Sequence, residues 1–519
     1  MLKSLLKIFQ LICDRKKKFA GFVSHLSPWF LVAFMCAAFA LKALLLVDAT
    51  SLWIDELFSV GKSFQSDYAD LIAWLRQDTH PPLYYTLLWL WGGVAGKSSV
   101  SLRIFSWLAY FLAGVLITLQ SGGLVPRDVR GKAMAWSALL VFCSPYLVRF
   151  AVEGKSYAFL VLLVSLGWLL RSCCIRQQYY SISLLGYGFA VAAASLTHFY
   201  GLFIFISAGI WDFLRLRWRL GGVAFLALVP SFAWVVYASS FLFSSSAGSW
   251  IGHPDFALFE DTLARAIGPW PLPKLVLLLL VSWGLRRWGF QNLTRDLKNQ
   301  SLNRLALMDV CGLTPSVLMV VGLVAISFIK PMTFSRYFVV LMPAAIPWLA
   351  ATGAQLPLNR RGKKVVVLMS TLTLILWWQQ SCQGITPVLG GSRESDNFRA
   401  VSLLTAGQQE RYSSRPRLLH LSDQVQLASG RIANHPTPWG GPHDLNRRLQ
   451  QLPLPEEVWL ATSGPEQMLQ KGLLPMESEA AQAGFSCEAL DASPAFTRVL
   501  QCRLINAHQH FSSKDFPPS

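Results

Sequence analysis

Apolar residues in this chain are grouped into long runs separated by short polar segments. The runs recur from Pro28 to about Cys382, and most approach the roughly 20 residues that a helix needs to cross a membrane. This pattern predicts an all-α polytopic membrane domain over residues 28–382, with about 11–13 transmembrane helices. The candidate spans are 28–47, 101–120, 132–149, 155–171, 179–196, 199–214, 221–243, 272–285, 310–329, 336–354 and 364–381.

A shorter apolar stretch, 82–95, stands apart from these spans. It has only about 14 residues, a length more typical of a re-entrant or interfacial segment than of a full crossing. We therefore expect about eleven full spans plus one partial insertion. An odd number of crossings places the two ends of the membrane domain on opposite sides of the bilayer.

Basic clusters between the spans indicate which loops face the cytoplasm. They lie at 215–219, 286–304 and 360–364, and positively charged loops remain in the cytoplasm. The basic N-terminus, 1–27, is expected there too, followed by an uncleaved first span, since no small-residue cleavage site follows that span. The first outer loop, 48–81, then faces the opposite side, together with everything after residue 382.

The composition agrees with a membrane protein. Only 14% of the residues are charged, against roughly 25% in soluble domains. The formal net charge of +18 is typical of cytoplasmic loops that contact anionic lipid headgroups. Nucleic-acid binding is not expected, because no basic-aromatic module accompanies this charge. The nine cysteines include no pair at zinc-ligand spacing.

The segment 383–519 has a different character, being rich in Gln, Pro, Ser and charged residues. Short strands are predicted at 417–421 and 457–461, a hairpin at 485–504, and a helix at 397–405. These elements predict a small soluble α/β domain. Cys487 and Cys502 could oppose each other across the hairpin, either as a disulfide in an oxidising compartment or as two buried thiols.

Polar residues lie where the first apolar run ends and where the next apolar run begins. The acidic pair Asp55-Glu56 follows the first span, and His80-Pro81-Pro82-Leu83-Tyr84-Tyr85 opens the stretch 82–95. Charge so close to lipid is costly and usually marks a functional site. Alternatively, the acidic pair could cap a helix N-terminus, and the two prolines could form a rigid turn.

Further polar residues fall on the same side of the membrane. Each has an ordinary alternative role, for example Arg103 as an interface anchor and Glu153 as an i,i+4 partner of Arg149. Their occurrence on one face favours a shared site. The candidate site residues are Asp55, Glu56, His80, Tyr84, Arg103, Glu153, Lys155, Tyr157, His198, Arg336 and Tyr337.

These residue types suit a polyprenyl-phosphate-linked sugar, whose lipid chain would lie in an apolar groove between helices. Its phosphate needs fixed cations. The candidate cations are Arg103, Lys155, Lys330 and Arg336. A carboxylate at the bilayer rim can take the proton of an attacking hydroxyl, and either Asp55 or Glu56 could be that base.

The order of these motifs resembles that of GT-C glycosyltransferases. The most similar group comprises the bacterial relatives of protein O-mannosyltransferases and of the lipid A aminoarabinose transferases. The resemblance runs from about residue 28 to about residue 350. Its motifs are Trp53-Ile54-Asp55-Glu56, His80-Pro81-Pro82-Leu83-Tyr84-Tyr85, Ser101-Leu102-Arg103, Glu153 with Ser156-Tyr157-Ala158, Thr197-His198-Phe199-Tyr200 and Arg336-Tyr337.

The resemblance implies a GT-C fold and an inverting sugar transfer from a polyprenyl-phosphate donor, on the periplasmic face of a bacterial inner membrane. It implies Asp55 as the base, with Glu56 beside it, and Arg103 and Arg336 as ligands of the donor phosphate. The acceptor would be an envelope lipid, glycan or protein. Lys155 departs from the family, which often has Arg at this position.

Other classes of function make different predictions. A transporter or flippase of lipid-linked saccharides would have paired internal repeats with interrupted helices, and the sequence has no such repeat. A non-catalytic envelope assembly protein would not need Asp55. No cofactor is expected. A divalent metal held by His80, His198 and outer carboxylates is a weaker alternative, because the chain has no helical His-x-x-x-His spacing.

Overall fold

The computed structural model describes residues 28–47, 54–244, 251–285, 305–380, 417–421, 457–463, 474, 477–489 and 497–505. Within these ranges every predicted span lies on a helix or on two consecutive helices. The basic N-terminus, 1–27, and the helix expected at 397–405 lie outside the described residues.

The first helices of the membrane domain are α1 (Pro28–Leu45), α2 (Ile54–Ser63), α3 (Tyr68–Arg76), α4 (Leu83–Ala95), α5 (Ser99–Gly123), α6 (Arg127–Cys143), α7 (Pro145–Ala151), α8 (Tyr157–Ile175) and α9 (Tyr180–Thr197). They are followed by α10 (Phe199–Leu214), α11 (Trp218–Tyr237), α12 (Ser239–Leu242), α13 (Phe256–Ile267), α14 (Pro271–Leu285), α15 (Leu305–Val310), α16 (Leu313–Ser327), a 3₁₀ helix (Ser335–Leu341), α17 (Met342–Ala354) and α18 (Arg360–Gln380).

The lengths of these helices are those of a multi-pass membrane protein. In the described part of the chain, five helical stretches are long and apolar enough to cross a membrane, or seven if each bent pair counts as one span. The helices α1, α10 and α16 are equally apolar but shorter. The stretch 82–95 forms α4, which has 13 residues, well under the roughly 20 needed for a full crossing.

Two predicted spans are bent helix pairs. The angle between α6 and α7 is 56°, because Ser144 is extended and Pro145 cannot continue the hydrogen bonding of α6. The angle between α13 and α14 is 96°. Gly268, which follows α13, has a φ of +94°, a conformation that glycine adopts without steric strain. As a result, α13 runs nearly perpendicular to α14.

The central helix of the bundle is α8, which takes part in both large cores. Ala158 and Val161 pack in the core that includes side chains from α1, α5, α6 and α7. Val164 and Trp168 pack in the core that includes side chains from α9, α10, α11 and α16. Both ends of α8 are therefore held by several neighbouring helices.

A buried ionic cluster fixes the C-terminal end of α8. Arg171 is fully buried and donates through Nε and Nη2 to the carboxylate of Asp212 at 2.9 and 2.6 Å. It also donates to the carbonyl and carboxylate oxygens of Asp309 at 2.6 and 2.9 Å. Arg217 binds the same two carboxylates at 2.6–3.1 Å. The cluster thereby joins α8, α10 and α15.

The strands of the C-terminal domain are β1 (Arg417–Leu421), β2 (Glu457–Ser463), β3 (Phe485–Ala489) and β4 (Thr497–Leu504), and they form one sheet in the order β1-β2-β4-β3. β1 and β2 are parallel, and the other neighbours are antiparallel. Cys487 and Cys502 are partners across β3 and β4 and form a disulfide. The predicted fold class, an all-α membrane domain followed by a small α/β domain, is confirmed.

Substitution of Arg171 by Met should destabilise the membrane domain by about 3–5 kcal/mol, because it leaves Asp212 and Asp309 buried without their main cation. Thermal unfolding of the purified protein in detergent measures this loss. Arg176→Met is the matched control, since Arg176 donates to a single backbone carbonyl, that of Gly123. Equal melting temperatures for the two variants would show that the Arg171 cluster does not stabilise the membrane domain.

Candidate active site

Asp55 and Glu56 are neighbours in the first turn of α2, yet their side chains have different environments. Successive residues of an α-helix are turned by about 100° around its axis. Glu56 is fully buried, whereas the side chain of Asp55 is 16% exposed. The two carboxylates consequently bind different cations, Arg103 and Arg336.

Glu56 and Arg103 form a buried two-point ion pair. Arg103 donates through Nε to Oε1 at 2.8 Å and through Nη2 to Oε2 at 2.7 Å, while Nη1 donates to the carbonyl of Val47 at 2.7 Å. The guanidinium is thus engaged within the protein and joins α2 to α5. The roles of Arg103 as a phosphate ligand and of Glu56 as a second candidate base stay predictions.

Gly154 belongs to the same arrangement. Its backbone N–H donates to Oε1 of Glu56 at 2.8 Å. A Cβ at this position would lie 2.3 Å from the side chain of Leu102, so only glycine lets the loop before α8 approach α5 so closely. The contact fixes the backbone immediately before Lys155.

Asp55 pairs with Arg336, a residue 281 positions away in the sequence. Arg336 lies in the first turn of the 3₁₀ helix, where the preceding Phe334 is extended. Its guanidinium carbon is 4.9 Å from the ring centroid of Phe334 and 6.0 Å from that of Tyr337. The structure therefore brings two predicted site residues, Asp55 and Arg336, into direct contact.

Lys155 is a buried cation, only 4% exposed. Its ammonium forms no hydrogen bond or ion pair with a described residue, and it lies 5.9 Å from the ring centroid of Phe58. Burial lowers the pKa of Lys155 to about 8, although the nearby negative charges of Asp55 and Asp78 oppose this change. Such an ammonium is suited to binding an anion that enters the site.

A second ionic chain runs from α2 to the His80 loop. Lys62 pairs with Asp78, and Oδ1 of Asp78 is 3.3 Å from Nδ1 of His80. Burial by itself would raise the pKa of Asp78, but Lys62 and His80 hold it well below its usual range. Burial lowers the pKa of His80, against the effect of Asp78. Asp78 is thus ionised and His80 is neutral near pH 7.

Lys62 and Asp78 are site residues that the sequence motifs did not identify. A signal was present in both cases. Lys62 follows Asp55 by seven residues, about two helical turns, so both lie on one face of α2. Asp78 lies two positions before His80, within reach of its ring.

His198 is the residue between α9 and α10. Its Nδ1 accepts the backbone N–H of Tyr200 at 3.1 Å and so caps α10. Its ring centroid lies 5.9 Å from that of His80, 5.8 Å from Tyr157 and 5.4 Å from Tyr337. Three predicted site residues therefore surround the imidazole of a fourth, His198.

Three other candidates have different surroundings. Tyr84 is fully buried and packs on Phe105 and Phe159 in the core between α4, α5 and α8. Its role as a binding residue stays a prediction. Glu153 lies 3.6 Å from Arg149 as the i,i+4 partner. Lys330 donates to the carbonyl of Leu242 at 3.2 Å.

The part of the chain that the structure describes contains no group of three or more His, Cys, Asp or Glu side chains that could hold a metal ion. The weaker metal hypothesis therefore has no ligand set among these residues.

No protein-family model matches this sequence, and no curated protein sequence matches it significantly. Solved structures do match its fold. The apo crystal structure of ArnT from Cupriavidus metallidurans has a TM-score of 0.55 at 13% sequence identity, over 92% of this chain and 98% of that one. The structure of the same protein bound to undecaprenyl phosphate gives a TM-score of 0.54 at 13% identity, over 92% and 99%.

The likeness to ArnT covers nearly the whole of both chains, including the C-terminal domain. At such low identity it establishes the fold and no more. The predicted fold, an all-α membrane domain followed by a small α/β domain, is the fold that this chain shares with ArnT.

Proposed function

We propose that this chain is an inverting glycosyltransferase that moves a sugar from a polyprenyl-phosphate donor to a lipid, glycan or protein acceptor of the cell envelope. One observation carries the proposal. Lys155 is a buried ammonium without a carboxylate partner among the described residues, and it stands beside the Asp55–Arg336 pair. The fold around it is shared with a protein that binds undecaprenyl phosphate.

The charge of Lys155 indicates the ligand. Removing an ammonium from water costs several kcal/mol when no anion compensates it. A phosphate between Lys155 and Arg336 would supply that anion and would accept charge-assisted hydrogen bonds from both. Arg336 can hold Asp55 and the phosphate together, because a guanidinium has five N–H donors.

In the proposed reaction, the acceptor oxygen attacks the anomeric carbon from the side opposite the phosphate. The bond between this carbon and the phosphate oxygen breaks, and its electron pair leaves with the polyprenyl phosphate. The phosphate gains negative charge in the transition state, so Lys155 and Arg336 bind it more strongly there than in the ground state. The proton of the acceptor hydroxyl passes to Asp55.

Asp55 fits the role of base better than Glu56. The carboxylate of Glu56 is fully buried and accepts three hydrogen bonds from Arg103 and Gly154. Asp55 is part-exposed and lies beside the cation proposed to bind the donor. The orientation of α2 therefore selects Asp55 for contact with the acceptor.

An apolar cavity of about 450 Å³ suits the prenyl chain. It is lined by residues of α13, α14, α16 and α17, and its lining includes Phe338, Leu341 and Met342. Phe338 is two residues after Arg336 on the same 3₁₀ helix. A lipid in this cavity could therefore extend towards a phosphate at Arg336.

The disulfide supports the periplasmic orientation that the basic loops predict. Disulfides persist in oxidising compartments such as the bacterial periplasm and are rare in the cytosol. Cys487–Cys502 therefore favours a periplasmic C-terminal domain. An odd number of spans between the basic N-terminus and this domain would agree with both the basic loops and the disulfide.

Asp55→Asn should abolish sugar transfer because it removes the base, and it should lower the melting temperature less than Glu56→Gln does, because the Asp55–Arg336 pair is part-exposed. Transfer from a polyprenyl-phosphate sugar to envelope acceptors, followed by mass spectrometry, measures the activity. Glu56→Gln is the matched comparison: it should lower the melting temperature, since Arg103 loses its charged partner. Near-normal turnover of Asp55→Asn would rule out Asp55 as the base.

The affinity for undecaprenyl phosphate should fall about tenfold between pH 7 and pH 9, because Lys155 has a pKa near 8 and binds the anion only when protonated. Lys155→Arg should make the affinity independent of pH over this range, since arginine stays charged. Titration of the purified protein with undecaprenyl phosphate tests both. A pH dependence that survives in Lys155→Arg would assign the effect to another group.

A periplasmic reporter enzyme fused after Ser381 should be active, because we expect the basic start of α18, 360–364, in the cytoplasm and the rest of α18 to cross the membrane. A second fusion within 215–219 should be inactive and serves as the control. Activity at 215–219 combined with inactivity after Ser381 would reverse the proposed orientation.

A further inference from the structure

Burial lowers the pKa of both His80 and His198, so both imidazoles are neutral near pH 7, and their hydrogen-bonding roles are opposite. Asp78 can only accept a hydrogen bond, since it is ionised beside Lys62. The proton of the neutral His80 ring therefore lies on Nδ1, which faces Asp78 at 3.3 Å. The Nε2 atom of His80 is left with a lone pair and acts as an acceptor.

The backbone fixes the other tautomer in His198. The N–H of Tyr200 donates to Nδ1 of His198 at 3.1 Å, so Nδ1 carries no proton. A neutral ring then carries its proton on Nε2, and His198 presents a donor. Neither Nε2 atom forms a hydrogen bond with a described residue.

The two rings are close enough to act on one ligand group. Their centroids are 5.9 Å apart in an edge-to-face arrangement. Tyr157 and Tyr337 lie against the His198 ring at 5.8 and 5.4 Å, and Tyr85 lies against the His80 ring at 5.8 Å. Tyr85 and Tyr157 are buried and Tyr337 is part-buried, so the two imidazoles lie in an aromatic environment that suits an uncharged ligand group.

The surrounding carboxylates are already matched by cations. Asp55 pairs with Arg336, Glu56 with Arg103, Asp78 with Lys62 and Glu153 with Arg149. A protonated amino group bound at the two imidazoles would face the N–H of His198, which is also a donor, and each of these carboxylates already has a cation beside it. A hydroxyl group is both donor and acceptor, so it can bind both imidazoles.

We infer, building on the proposed function, that His80 and His198 form a donor–acceptor pair that binds a hydroxyl group of an uncharged donor sugar. His80 accepts the hydroxyl hydrogen, and Nε2–H of His198 donates to the hydroxyl oxygen. The pair thereby selects a neutral sugar over one that carries an ammonium group at that position.

Asparagine variants test the pair without disturbing its supports. Asn at position 198 keeps an oxygen that can accept the N–H of Tyr200 and is a favourable N-cap, but it lacks the Nε2–H donor. His80→Asn keeps a donor for Asp78, but its shorter side chain lacks an acceptor at the position of Nε2. His253→Asn is the control, because Nδ1 of His253 contacts the carbonyl of Ser327 away from this site.

The binding experiment uses undecaprenyl phosphate, a panel of neutral undecaprenyl-phosphate hexoses, and the amino-deoxy analogues of these hexoses. Wild type should bind at least one neutral hexose lipid more tightly than the bare lipid and its amino analogues. His80→Asn and His198→Asn should each weaken that sugar lipid about ten- to hundredfold and leave the bare lipid unchanged. His253→Asn should resemble wild type throughout.

Three results would overturn the inference while the proposed function stands: a preference of wild type for an amino-sugar lipid, no preference for any sugar lipid over the bare lipid, or wild-type affinity for sugar lipids in both variants. A different result would overturn the proposed function. If wild type bound none of the lipids, both the polyprenyl-phosphate site and the sugar-binding pair that rests on it would be rejected.

Discussion

The geometry of the site depends on the buried ion pair between Glu56 and Arg103. It joins α2 to α5, and through Val47 and Gly154 it also holds the chain after α1 and the loop before α8. Removing one partner of such a pair costs about 3–5 kcal/mol, because the other charge stays buried. Asp55 and Lys155 each lie next to a residue in this contact, so their positions follow from it.

The two ends of α8 differ in how their charges are matched. At the C-terminal end, Arg171 lies between two aspartates, and Arg217 binds both of them as well. At the N-terminal end, about 20 Å away by helix geometry, Lys155 has no such carboxylate among the described residues. The first arrangement is a completed network that stabilises the fold. The second leaves positive charge available for a ligand, and it lies in the loop directly before the helix that the completed network holds in place.

Much of this architecture could be predicted from the sequence, because apolar runs of about 20 residues have one interpretation in a polytopic chain. Motif order also indicated that Asp55 and Arg336 belong together. The direction of each side chain could not be predicted. Two adjacent acids look alike in sequence, and the structure separates them because only Glu56 faces Arg103. Tyr84 and Tyr85 show the same problem: both are buried in one core, but Tyr84 packs on Phe159 whereas Tyr85 also contacts the His80 ring.

The residues that motifs missed were overlooked for a physical reason. Lys62 and Asp78 are ordinary loop and helix charges until α2 and the loop before α4 fold together. Their effect reaches the site indirectly, since Asp78 determines which nitrogen of His80 carries the proton. A tautomer depends on a neighbour in space, so a pattern of residue types along the chain does not contain it.

Arg336 couples the two charge changes of the proposed reaction. Asp55 loses its negative charge when it takes the acceptor proton, and its attraction for the guanidinium then weakens. The departing phosphate gains negative charge in the same step, so its attraction for Arg336 grows. Arg336 lies between the base and the leaving group. It can therefore stabilise the charge of Asp55 before the step and the charge of the phosphate after it, with only a small movement. Glu56 could not take part in such an exchange, because its partner Arg103 also donates to the carbonyl of Val47 and is buried away from the donor. The proposed reaction thus uses the two acids differently: Glu56 keeps its charge and its partner, and Asp55 takes the proton.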